Sequence, residues 1–187
     1  MTEAQETLRR IVTALNDSGA EHMVVGSLAS TFHGEPRTTR DIDIVVEADA
    51  DSIARFVASL PSSDWYVDAD AARDAHSQRS MFNVVDMRSG WKVDVICLRA
   101  SAFASIEFSR RVSAELLGVP VFVATAEDTI LAKLSWCRDS HSERQLRDAA
   151  GIVTSMGDQL DKDYLDLWTE ELELSALWQQ VREHRER

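Results

Sequence analysis

Val25-Gly-Ser-Leu-Ala-Ser-Thr-Phe-His-Gly-Glu-Pro-Arg-Thr-Thr-Arg-Asp-Ile-Asp43 is the stretch on which the fold turns. The apolar run His22-Met-Val-Val25 before it reads as a buried strand that ends at Gly26-Ser27. Ser-Leu-Ala-Ser-Thr-Phe-His-Gly34 then reads as a brief helix closed by glycine. Arg40-Asp-Ile-Asp-Ile-Val-Val46 alternates polar and apolar residues over its first half, as a strand exposed on one face at one end should. Gly26 permits close backbone approach, and the N–H groups and dipole of a helix N-terminus suit phosphate. The Ser27 hydroxyl adds one more donor. Asp41 and Asp43 stand at i and i+2 of a strand and therefore share a face. Two such carboxylates repel each other unless a cation lies between them. Mg²⁺ (or Mn²⁺) is the expected occupant, because it takes few carboxylates and completes its shell with water and substrate phosphates. Either half of this pattern alone is ordinary turn and strand-edge polarity. It is the combination, with thirteen residues between Ser27 and Asp41, that points to phosphate chemistry.

A two-metal site needs a third acid. Trp91-Lys-Val-Asp94-Val-Ile supplies one, polar within an otherwise apolar strand, where a buried carboxylate is costly unless paired or ligating a cation. Asp86, on the partner strand of the same hairpin, is its competitor. Asp94 is preferred because Val93 and Val95-Ile96 make it the more conspicuous exception. Arg37 and Arg40 precede the acids and either contact phosphate or neutralise the acidic cluster.

Before this region, Leu8, Ile11, Val12 and Leu15 mark an amphipathic helix over 3–18 with Gly19 as its C-cap. After it, Ile53, Phe56, Val57 and Leu60 mark another over 51–60. Residues 66–80, rich in Asp, Ala and Arg, read as a loop or short helix. Residues 81–87 and 91–98 form two strands joined at Arg88-Ser-Gly90. A helix near 101–109 leads to a second strand pair with Gly118-Val-Pro120 between its strands. From Thr125 onward everything reads as helix, in segments 126–138, 143–156, 161–172 and 175–185, with Asp161 and Ser175 as caps. The expected architecture is α+β: a mixed sheet flanked by helices over 1–124, then a helical C-terminal region over 125–187 packed on it.

Composition narrows the function further. At 44% hydrophobic residues the chain can bury a sizeable core, and no apolar run approaches a membrane span. The opening segment is unlike a signal peptide, and Cys97 and Cys137 form no CxxC pair, so a cytoplasmic location without disulfides is expected. A net charge of −12 argues against a broad basic surface that coats nucleic acid, though not against a local patch. Basic residues are skewed, with seventeen Arg against three Lys, so a lysine carries more information than an arginine. His33, beside the central stretch, reads as structural. The tryptophans, Trp136, Trp168 and Trp178 among them, read as helix packing.

The Gly-Ser turn, the spacer, Asp41-x-Asp43 and the later strand Asp94 together resemble the DNA polymerase beta-type nucleotidyltransferase superfamily. Pro36-Arg-Thr-Thr-Arg-Asp-Ile-Asp43 and Ala124-Thr-Ala-Glu-Asp-Thr-Ile-Leu-Ala-Lys-Leu134 are similar to its AbiEii-like branch, found in bacterial toxin–antitoxin and phage-defence systems. That branch carries Glu-Asp, an apolar residue and later Lys-Leu on one helix, then a basic helix with Arg-Asp. Lys133, Arg144 and Arg147-Asp148 match here, and the likeness covers about residues 20–153. It implies transfer of a nucleoside monophosphate from an NTP to an acceptor hydroxyl, with release of pyrophosphate. Asp41, Asp43 and Asp94 would hold the metal, Gly26, Ser27, Arg40 and Lys133 would bind the nucleotide, and Asp148 and Arg144 would support. Lys133 is otherwise a solvated helix residue. The implied acceptor is RNA, such as a tRNA end, or a protein side chain, with a cognate antitoxin as a further partner. Families that adenylate aminoglycosides or lincosamides share the motif, and a catalytically silent, antitoxin-like binding module is the alternative of another class. Segment 133–147 holds four basic against two acidic residues, a modest patch for polyphosphate or RNA.

Overall fold

The computed structural model describes residues 2–36 and 38–185. They run α1 (Glu3–Ser18), β1 (Glu21–Val25), α2 (Gly26–Phe32), β2 (Asp41–Glu47), α3 (Ala50–Ser59), β3 (Trp65–Val67), α4 (Ala69–Gln78), β4 (Met81–Asp86) and β5 (Lys92–Cys97). Then follow α5 (Ala102–Ser109), β6 (Val112–Leu116), β7 (Val119–Val123), α6 (Ala126–Ser140), α7 (Glu143–Met156), α8 (Lys162–Glu171) and α9 (Ser175–Arg185). The strands form one mixed seven-stranded sheet in the order β3-β4-β5-β2-β1-β7-β6. β2 runs parallel to β5 and β1 parallel to β7, while β1–β2, β3–β4, β4–β5 and β6–β7 are antiparallel. The α+β class read from the sequence is the observed one. Among the described residues no helix is long and apolar enough to cross a membrane.

The chain divides into two compact units. The first comprises Met1–Leu28 and Thr38–Val123, and the second Ala29–Arg37 and Ala124–Arg187. In the first, α1 is capped by Thr2, whose hydroxyl accepts from the Gln5 N–H, and ends at Gly19 in the left-handed region (φ 77°). Its stripe of Leu8, Ile11, Val12 and Leu15 is buried, as the periodicity predicts. The face of the sheet that α1 covers follows from register. The Thr7 hydroxyl of α1 donates to Asp86 of β4, which shares its face with Val84 and Phe82. Those two lie opposite Val93 and Val95, which in turn pair with Ile42 and Ile44. All six are buried, and they form the core layer of the sheet.

Of the loop or short helix expected over 66–80, the helix is found: α4 has ten residues and is capped by Asp68, whose carboxylate accepts from the N–H groups of Asp70 and Ala71, while the short strand β3 before it differs from expectation. Only Ala72 and Ala75 of α4 are buried, so it carries no large apolar stripe for periodicity to detect. The second hairpin turns at Leu117-Gly118, both at positive φ, and not at Gly118–Pro120. Leu116 pairs with Val119, so the loop has two residues and Pro120 already lies in β7. In the second unit α6 packs on α7 and α7 on α9, around Ile130, Leu131, Leu134, Ile152, Leu165 and Val181. Asp161 caps α8 by accepting from the Tyr164 N–H, whereas Ser175 is the first residue of α9 rather than its cap.

Candidate active site

Register brings the predicted acids together. Asp43 of β2 lies directly opposite Asp94 of β5, and Val25, the last residue of β1, lies opposite Asp43 on the other side. Asp41 lies opposite Lys92. Residues opposite one another in a ladder point to the same face, so Asp41, Asp43, Lys92 and Asp94 share one face. That face is the reverse of the one bearing Ile42, Ile44, Val93 and Val95. Gly26 follows Val25 directly and starts α2 with φ at 63°. A Cβ built there would stand 2.6 Å from Cγ of Asp43 and collide with its carboxylate. Glycine at 26 is therefore required twice over, by the backbone conformation and by the carboxylate packed against it. Ser27, buried at the start of α2, stands next in line.

Lys92 was not singled out by sequence reading, and it sits in the middle of this face. Its ammonium lies 3.1 Å from Oδ2 of Asp94 and 3.9 Å from Oδ1 of Asp41. The hydrogen bond that Lys92 donates to Asp94, together with the charges of Asp94, Asp41 and Asp43, raises the Lys92 pKa above its ordinary value, against the opposing effect of burial. On the other flank, Asn83 of β4 lies opposite Asp94 and donates its amide to Asp94 Oδ1. Asp94 is thus held from both sides, while Asp41 at the start of β2 is exposed. Among the described residues no group of three His, Cys, Asp or Glu side chains is arranged to hold a metal ion as it stands. The chemistry of the donors nevertheless suits one. They are carboxylates, two of which, Asp94 and Asp41, already flank a single ammonium, and this is the donor type that hard divalent ions take.

Asp86 lies on the opposite face from Asp94. It is 2% exposed and accepts from the Thr7 hydroxyl (2.7 Å) and the Arg88 N–H (3.0 Å), with Arg10 alongside at 3.5 Å. Burial opposes its charge, but the hydrogen bonds from Thr7, Arg88 and Ser89 and the Arg10 charge outweigh burial and hold its pKa below the ordinary value. Asp86 belongs to a structural network in which Arg10 also bonds Asp64 and stacks over Trp65.

The remaining predicted residues are placed as follows. Arg40 is exposed, and its carbonyl accepts from the Lys92 N–H. Arg37 lies outside the described residues. In the second unit, Lys133 is not a solvated helix residue: it is buried and pairs with the buried Asp148 at 2.8 Å. Arg138 pairs with Asp139 and donates to the Leu172 carbonyl, whereas Arg144 and Arg147 on α7 are exposed. The basic character of 133–147 at the surface therefore comes mainly from Arg144 and Arg147. His33 is buried with Nε2 on the Ala124 carbonyl, as a structural residue. Trp178 is buried, but Trp136 is 64% exposed and packs in no core.

No known family's sequence profile matches the chain, and no curated protein matches it by sequence. Solved structures do match. The antibiotic-resistance factor ANT(2'')-Ia, in its solution structure, aligns with a TM-score of 0.60 at 12% identity over 97% of both chains. An antigenic nucleotidyltransferase-like protein from Paracoccidioides brasiliensis aligns at 0.53 and 16% identity, over 92% of this chain and 91% of that one. The lincosamide antibiotic adenylyltransferase LnuA, solved with lincomycin bound, aligns at 0.53 and 12% identity, over 81% of this chain and 96% of its own. The fold is therefore the nucleotidyltransferase fold. At these identities the likeness establishes architecture alone.

Proposed function

We propose that the chain is a metal-dependent nucleotidyltransferase that moves a nucleoside monophosphate from an NTP to an acceptor hydroxyl. One observation carries the reading: Gly26-Ser27 at the end of β1 abuts Asp43, which stands opposite Asp94 across the ladder. The Gly26 and Ser27 N–H groups at the start of α2 and the Ser27 hydroxyl hold the triphosphate. By the family resemblance, Lys133 held by Asp148 is a further phosphate cation, with Arg40 and Arg144 as lesser ones. Asp41, Asp43 and Asp94 are the ligands of Mg²⁺ or Mn²⁺, which when bound neutralises charge on the triphosphate and on the attacking oxygen. The acceptor oxygen bonds to the α-phosphorus, the bond from that phosphorus to the oxygen bridging the α- and β-phosphates breaks, and pyrophosphate leaves. Asp94, the acid fixed from both flanks, takes the hydroxyl proton.

Two acceptor classes have support. The AbiEii-like resemblance favours RNA, such as a tRNA end, or a protein side chain, within a toxin–antitoxin or defence setting. A small-molecule acceptor is favoured by the net charge of −12, which draws a polycation such as an aminoglycoside and repels a polyanion. ANT(2'')-Ia in complex with adenylyl-2''-tobramycin and lincomycin-bound LnuA have the same fold. The test incubates the protein with each α-³²P-NTP and Mg²⁺, adding total RNA, total protein, an aminoglycoside or a lincosamide in turn. Label is expected in one acceptor fraction and in none with Asp41→Asn/Asp43→Asn. Undiminished labelling by the double variant would rule out this site. No label in any fraction would leave the antitoxin-like binding module as the reading.

A further inference from the structure

Lys92 opens β5 two residues before Asp94, on the acidic face of the sheet. Its ammonium reaches carboxylates of two strands at once, Asp94 on its own and Asp41 on β2. The three carboxylates share one face of two adjacent central strands, where the repulsion of like charges a few ångströms apart costs on the order of 1 kcal/mol or more per pair. Lys92 is a cation that offsets part of that repulsion when no divalent ion is present, through its contacts with Asp94 and Asp41. We propose that Lys92 is a resident counter-cation of Asp41 and Asp94 and that a divalent ion must displace its ammonium to bind between them. The inference rests on the nucleotidyltransferase reading of that face.

Three features make the exchange feasible. Lys92 is 41% exposed, and its flexible four-carbon stem can swing the ammonium into water without moving β5. Asn83 keeps its hold on Asp94 Oδ1 from the other flank, so Asp94 stays placed when the ammonium departs. A divalent ion held by Asp41 and Asp94 would compete with the ammonium for the same two carboxylates, and the two cations could not share them without like-charge repulsion. A bare divalent ion then binds weakly, and one arriving with the charge of a triphosphate binds better. Lys92 is a positioning residue in this scheme: it orders the acids while the site is idle.

The test compares the full chain with Lys92→Met and Lys92→Arg, using Mn²⁺ without nucleotide. Free Mn²⁺ is followed by electron paramagnetic resonance, and melting is followed in EDTA and in Mn²⁺. Lys92→Met should bind Mn²⁺ about two- to fivefold tighter, the range expected for release from a partly exposed ion pair. It should also melt lower in EDTA and gain more from Mn²⁺ than the parent. Lys92→Arg, which keeps the cation, should restore parental behaviour in both measurements. Equal or weaker Mn²⁺ binding by Lys92→Met, with the parent binding normally, overturns the proposal and leaves the transfer reading intact. Loss of nucleotide affinity in Lys92→Met at unchanged Mn²⁺ affinity also overturns it, assigning Lys92 to phosphate. Mn²⁺ binding that survives Asp41→Asn/Asp43→Asn/Asp94→Asn lies elsewhere and defeats the proposal, and absence of Mn²⁺ binding in every form, with or without NTP, defeats the metal reading too.

Discussion

Asp94 and Asp86 lie eight residues apart on one hairpin, yet the pleat gives them opposite faces and opposite environments. Asp94→Asn should reduce labelling at least a hundredfold while shifting stability little, because its neighbours keep hydrogen-bonding partners. Asp86→Ala should do the reverse. It removes the carboxylate that accepts from the Thr7 hydroxyl and the Arg88 N–H and weakens the Arg10 contact, costing about 1–3 kcal/mol in denaturant unfolding. A stable but inactive Asp86→Ala would refute this division. Titration adds a second expectation. Burial lowers the pKa of His22 and, in the same way, of His33, below the ordinary value of 6.5. Between that value and the lower folded one, the unfolded chain binds the proton and the folded chain does not. Stability is therefore full above 6.5 and falls as pH drops through that window, by at most about 1.4 kcal/mol per pH unit for each histidine. Melting curves from pH 8 to 5 check this, and His22→Gln with His33→Gln should flatten the slope. Asp41 and Asp43 stand out in the sequence by their i, i+2 spacing downstream of Gly26-Ser27, and Asp94 as a polar residue between valines. Lys92 and Asn83 could not, since their contacts depend on which strand lies beside which, and no local spacing encodes that.

Whether an element shows in the sequence depends on the size of the side chains it buries. α1 and α3 bury large residues at helical spacing, Leu8, Ile11 and Leu15 in one, Ile53 and Phe56 in the other, so their periodicity is plain. α4 buries two alanines, and β3 has three residues at the edge of the sheet, so neither rises above the background. The β6–β7 turn is hidden in the sequence for another reason. Leu117 occupies a position with φ at 52°, which glycine, asparagine or aspartate would ordinarily announce. Both loop residues at positive φ define the mirror-image two-residue turn that matches strand twist, and leucine pays a steric penalty there. Leu117 is 44% exposed, so little packing is lost with it. Leu117→Asn should therefore raise stability by about 0.5–1 kcal/mol and lift the melting temperature by a few degrees. A lower melting temperature would mean that the leucine packs more than its exposure implies.

Charge is where the acceptor classes part. The chain carries −12, and the basic residues of 133–147 are largely engaged: Lys133 is buried against Asp148 and Arg138 is paired with Asp139. Arg144 and Arg147 remain exposed on α7. A single-stranded RNA end that neutralises two arginines releases few counterions, and its affinity should fall only about sevenfold between 50 and 200 mM salt. Repulsion from the rest of the acidic surface keeps that affinity low at either salt concentration. A polycationic small molecule faces the opposite field: its capture by many carboxylates is strongest at low salt and weakens as screening sets in. Measuring KM for each acceptor across that salt range, with Arg144→Ala/Arg147→Ala alongside the parent, separates the two. If RNA is the acceptor, the double variant should raise KM for RNA and flatten its salt dependence without changing the Mg²⁺ requirement. If a cationic antibiotic is the acceptor, the double variant should leave its KM unchanged or slightly lower, because two positive charges have been removed from an already acidic surface. RNA labelling that is tight, salt-steep and indifferent to both arginines would show that the basic surface lies outside 133–147, and the patch would lose its assigned role.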